Sequence, residues 1–137
     1  MKKLLARMLI MSFFMTQSYS IIADENTINI LMESYQSQGI ISGNAQRGEQ
    51  FWNKKFTGKA PFTERSCNLC HTENLTNKGK HARTGKILEP LAPSVNKNSF
   101  SNIKKIKKWF KRNCKWTTGT ECSTQTKADI LAFIKQQ

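Results

Sequence analysis

Apolar positions fall into one continuous run near the N-terminus and four later groups at helical spacing. The run is Met8 to Met15, broken only by Ser12. Ile28, Leu31, Met32 and Tyr35 then recur at i, i+3, i+4 and i+7, and Gly39 ends the pattern, which predicts an amphipathic helix over residues 26–38. Ser42-Gly43 is a break. Asn44, a good N-cap, opens a second helix running to about Phe56, with Ala45, Gly48, Phe51, Trp52 and Phe56 facing inward. Gly in a helix interior costs about 1 kcal/mol relative to Ala, so Gly48 marks a place where another helix comes close. The expected partner is a last helix from Thr124 to Gln136, whose stripe is Ile130, Leu131, Phe133 and Ile134. Ser101 caps a further helix to about Arg112, with Ile103, Ile106, Trp109 and Phe110 on one face and Lys104, Lys105, Lys107, Lys108 and Lys111 on the other. No strong strand alternation and no internal repeat occurs, so the fold class expected is all-α with about four helices.

The remaining stretch, Thr72 to Ser99, is irregular and punctuated by Gly79, Gly85, Pro90 and Pro93. A loop that long fits a compact domain poorly unless it wraps something. Just before it stands Cys67-Asn68-Leu69-Cys70-His71. Two thiols three apart, with an imidazole beside the second, suit covalent attachment of one c-type haem, with His71 as the proximal iron ligand. A closed zinc site would need four ligands, and no second Cys or His pair follows at zinc spacing. A thioredoxin-like pair would need a βαβ context, which the pattern lacks. Four helices around one haem c is the expected architecture, a cytochrome c fold.

Composition and charge refine this. Lys2, Lys3 and Arg7, the apolar run and the small residues Ser20 and Ala23 read as a signal peptide over residues 1–23, cleaved after Ser20 or Ala23. An uncleaved anchor is the alternative, but a spanning helix needs about 20 apolar residues. Residues 24–137 form the cytochrome c domain. Export places the protein in the periplasm of a Gram-negative bacterium, where thiols oxidise. Of the 4 Cys, Cys114 and Cys122 are left over as an expected disulfide. The chain carries +13, and losing three cations with residues 1–23 leaves +10. That charge predicts acidic partners; export argues against nucleic acid, and no integral membrane segment is expected after cleavage.

The sixth iron ligand decides the function. Outside the first 23 residues the only Met is Met32, on the apolar face of its helix, where core packing is the plainer reading. His81, in a polar run, reads as a solvated loop residue or a second axial ligand. Asn113, four residues past Trp109 and three past Phe110, reads equally as a distal ligand or as a helix C-cap. Arg83, Lys86 and the Trp109 indole are candidate partners for the haem propionates. The other ring nitrogen of His71 is expected to donate to a carbonyl in the turn from Glu89 to Pro93.

The run from Thr84 to Ser94 (TGKILEPLAPS), the segment WFKRNC from Trp109 to Cys114, then Cys122 and Lys127-Ala128-Asp129, resemble the sphaeroides haem protein family of small, class I-like cytochromes c. The likeness extends from about Gly48 to the C-terminus. It implies that Asn113 is the sixth ligand, that Cys114 pairs with Cys122, and that Asn113 leaves the iron on reduction so that O₂ or NO binds. The sequence departs from a known member by carrying His81 in the ring-edge loop, which leaves a second ligand open.

Three functions follow from these readings. One is an electron-accepting cytochrome that binds a diatomic where Asn113 leaves. Another is a plain electron shuttle with His81 or Met32 as permanent sixth ligand. The last is a haem enzyme consuming O₂, peroxide or NO; no residue marked by the sequence delivers protons, so catalysis is not expected first. The seven cations from Lys104 to Lys115, with no acid among them, suit either a solvated face or docking of an acidic redox partner such as a di-haem cytochrome c.

Overall fold

The computed structural model describes residues 23–137; the expected signal segment lies outside the described residues except for Ala23, which opens the first helix. The helices are α1 (Ala23–Gln36), α2 (Ala45–Asn53), α3 (Asn68–His71), α4 (Ile103–Thr118) and α5 (Thr124–Lys135), joined by two small antiparallel pairs, β1 (Phe56–Thr57) with β2 (Glu64–Arg65), and β3 (Gly79–Lys80) with β4 (Ile87–Leu88). Four of the helices are those the periodicity predicts. Helix α3 and the strands are too short to leave a periodic signal.

Helices α2 and α5 make the central crossing. A Cβ on Gly48 would collide with the Asp129 carbonyl of α5, so the glycine lets the two backbones meet. Trp52 lies 6.0 Å from Phe133 across the crossing. With Leu75, Ala92, Ile130 and Ile134 these residues form one core cluster, while α1 adds a second from Ile28, Leu31 and Tyr35 against Ile106, Ala128 and Leu131. Asp129 ties the crossing at its polar end: it accepts from the Asn44 backbone N–H (2.7 Å), Arg47 Nε (2.9 Å) and Gln125 Nε2 (2.8 Å).

Boundaries differ from expectation for local reasons. The second helix stops at Asn53, because Phe56 pairs in β1. Asn102, not Ser101, caps α4, accepting from the Lys105 N–H at 3.0 Å. Helix α4 continues past Arg112 to Thr118, and Gly119 at φ 86 supplies the left-handed cap. Asn113 is thus inside a helix and not its cap.

A candidate haem site

Cys67, Cys70 and His71 come together because α3 is a single tight turn. The amide of His71 donates to the Cys67 carbonyl at 3.2 Å, and that of Thr72 to Asn68 at 2.9 Å. The motif is fastened on both sides. Ser66 Oγ bonds Asn68 Oδ1, and Asn68 Nδ2 donates to Asn53 of α2 at 2.9 Å. The Trp52 indole N–H donates to the Thr72 carbonyl at 3.0 Å, and its ring lies 5.7 Å from the His71 ring. Thr72 itself stands at φ 66, unusual for a β-branched residue, so the indole bond holds a conformation the chain would not choose alone. On the other side β3 lies against the turn: a Cβ on Gly79 would collide with the Cys70 carbonyl. The Ala82 N–H points at Cys70 Sγ, 3.4 Å away.

Both thiols are free, and with His71 they line a cavity of about 760 Å³ with mainly apolar walls. Phe100, Ile106, Phe110, Ile130 and Ile134 are among those walls. Burial, then the neighbouring Cys70, pushes the Cys67 thiol up to about 12. Burial, then His81, pushes His71 down to about 4, so its imidazole is neutral at neutral pH and keeps a lone pair for a metal. Arg83, Lys105, Arg112 and Lys115 line the cavity and no carboxylate does. A flat apolar group with two carboxylates, two thioether bonds and one imidazole ligand fits this donor set. No cluster of three or more His, Cys, Asp or Glu suited to a bare metal ion occurs among the described residues.

The other candidates separate clearly. Asn113 lines the cavity from α4, and its amide has no hydrogen-bond partner among the described residues. A disulfide joins Cys114 to Cys122, Cα atoms 5.5 Å apart. His81 lines the same cavity but from the β3 loop that lies against Cys70 and His71, and its Nδ1 accepts from the Thr84 N–H at 3.2 Å. Met32 does not line it: the side chain packs in the α1 cluster, because its helix crosses α5 away from the motif. Of the propionate candidates, Arg83 and Trp109 line the cavity and Lys86 does not, although Arg83 and Lys86 both stand in the turn between β3 and β4. The ring of His71 makes no hydrogen bond to the turn from Glu89 to Pro93; its neighbour is Trp52. The sequence reading missed Lys105, Arg112 and Lys115 as cavity residues, because it placed the α4 cations on the face away from the apolar stripe.

Known proteins resemble this chain in sequence and in fold. Residues 38–134 match a family described as "Domain of unknown function (DUF1924)". The chain is 36% identical over 107 residues to cytochrome c-type protein SHP of Cereibacter sphaeroides, covering 78% of this chain and 81% of that protein. The structure of oxidised SHP, described as an oxygen binding cytochrome c, superposes with a TM-score of 0.73 at 34% identity, covering 80% of this chain and 96% of that one. A solution structure of cytochrome c'' from Methylophilus methylotrophus, concerned with haem-ligand detachment, gives a TM-score of 0.72 at 31% identity, covering 83% and 96%. The chain therefore belongs to the sphaeroides haem protein family and is an all-α, class I-like monohaem cytochrome carrying haem c.

Proposed function

We propose that the protein is a periplasmic electron acceptor that holds O₂ or NO at a redox-gated position beside Asn113. Haem c, when bound, supplies a one-electron iron centre with an axial position for a small ligand. Cys67, Cys70 and His71 would hold it, with His71 as the proximal donor. The observation that carries the reading is Asn113: its unpartnered amide lines the haem cavity from the middle of α4, a different wall from α3. An amide oxygen is a neutral, hard donor that matches ferric iron better than ferrous. Asn113 therefore closes the position in the oxidised protein and withdraws when an electron arrives. Its N–H₂ group stays in the pocket as a hydrogen-bond donor to the diatomic.

Further support comes from what the rivals do. His81 is tied to Thr84 and sits in the loop packed on the His71 side, and Met32 packs elsewhere. The relatives point the same way, one described as oxygen binding and one through haem-ligand detachment. The electron donor is an acidic redox partner docking on α4, where Glu121 pairs with Lys115 (3.2 Å) and Lys111 (4.0 Å) and, among the described residues, Lys104, Lys107 and Lys108 have no acid partner. No described helix is long and apolar enough to cross a membrane.

Replacing Asn113 with Ala tests the ligand. The ferric absorption spectrum is expected to change to that of a five-coordinate or water-ligated haem. A ferric spectrum identical to that of the unaltered protein would overturn the assignment.

A further inference from the structure

Helix α4 carries Asn113 yet buries only Ile106, Cys114 and Thr117 of its 16 residues, because the cavity lies along its inner face. One side chain joins its far end to the strand that enters the haem motif. Arg65 ends β2, two residues before Cys67. Its Nη1–H donates to the Trp116 carbonyl at 2.7 Å, its Nε–H to Phe62 at 3.1 Å and its Nη2–H to Lys59 at 3.4 Å. The guanidinium also lies over the Trp116 ring, 4.8 Å from the centroid, and Phe62 packs edge-on against the same ring at 6.0 Å.

Trp116 is in the last turn of α4, where the final carbonyls have no partner within the helix and a cation is favoured. Arg65 satisfies one of them, and no carboxylate competes for the guanidinium among the described residues. The hairpin is shaped for this grip. A Cβ on Gly58 would collide with Arg65 Nε and with the Phe62 carbonyl. The disulfide ties Cys114 only to Cys122, which is also outside the haem motif. Arg65 is the bond that runs from the strand entering Cys67 to the helix that presents Asn113.

We propose that Arg65 is a positioning residue for the distal ligand: by holding the end of α4 to the haem-motif strand, it sets the reach of Asn113 and the ease with which the sixth position opens. This rests on Asn113 being the ligand. The test uses the full holoprotein with Arg65→Met, Arg65→Lys and Asn113→Ala, alone and combined. Ferric spectra give the ratio of open to Asn-ligated iron, flash photolysis gives the CO association rate of the ferrous form, and thermal melting checks the fold. Arg65→Met is expected to raise the open fraction on the order of tenfold and to speed CO binding, since a charge-assisted bond is lost. Arg65→Lys, which keeps the charge and one donor, falls between; it is also the variant to read if Arg65→Met fails to retain haem. In the Asn113→Ala background Arg65→Met adds nothing further to the ferric spectrum. If the Arg65 variants leave the spectrum and CO rate unchanged while Asn113→Ala opens the site, the positioning role is wrong and the ligand stands. If Asn113→Ala changes nothing, both fail.

Discussion

Asp129→Asn is the sharpest probe of the frame that places the haem motif. Asp129 is 5% exposed and accepts from Asn44, from Arg47 Nε and Nη2, both at 2.9 Å, and from Gln125. Burial alone would raise its pKa, but the bonds from Arg47, Asn44 and Gln125 outweigh it and hold the carboxyl below the usual carboxylate range. A charged hydrogen bond contributes about 1.5–3 kcal/mol. The Arg47 side chain is 54% exposed, so its share is discounted for solvent screening. Asn keeps an oxygen for Asn44 but loses the charge and one Arg47 contact. The net loss is about 2 kcal/mol near neutral pH, or about 8 °C in Tm for a domain of this size. The sign of the pH effect follows from the lowered pKa. The contribution is full above the unfolded carboxylate pKa of about 3.9 and disappears as pH falls through the folded value. Melting of both proteins by circular dichroism at pH 7 and at about pH 2 would check this. A gap at pH 7 below about 0.5 kcal/mol, or one that persists undiminished in acid, would refute the reasoning.

Other expectations concern the motif and the docking face. Gly79→Ala drives a Cβ into the Cys70 carbonyl and should cut the yield of covalently attached haem, read by a pyridine haemochrome assay on purified protein; normal yield would count against the β3 contact. Trp52→Phe keeps the aromatic packing but removes the N–H bonded to Thr72, costing about 1 kcal/mol in thermal melting. Reduction by an acidic donor should slow steeply as ionic strength rises to about 0.15 M, and Lys104→Glu with Lys108→Glu should slow it at low salt; rates indifferent to both would leave α4 as a merely solvated face.

The frame of the fold could be read in the sequence because it obeys local rules. Gly48 breaks helix propensity without breaking the helix, and the structure has α5 against it. The haem motif was legible because its chemistry fits within five residues. What escaped depended on distant partners or on a misread boundary. The apolar stripe of α4 gives out after Phe110, so the pattern predicts an end near Arg112, although Gly119 after Thr117-Thr118 is the stronger C-terminal signal. Extending the helix by a turn brings Lys115 and Trp116 alongside the cavity. Lys86 and Arg83 look alike as cations of one turn, and only the folded chain separates them, with Arg83 at the cavity wall and Lys86 off it. Arg65 carries no sequence signal at all, since its partners at Lys59, Phe62 and Trp116 meet only in the folded chain.

The ferrous absorption spectrum, recorded before and after adding CO, bears most directly on whether Asn113 lets go on reduction. The account predicts high-spin ferrous haem that takes up CO at once. A low-spin, six-coordinate ferrous spectrum that CO leaves unchanged would mean a permanent sixth ligand and an electron carrier without a gate.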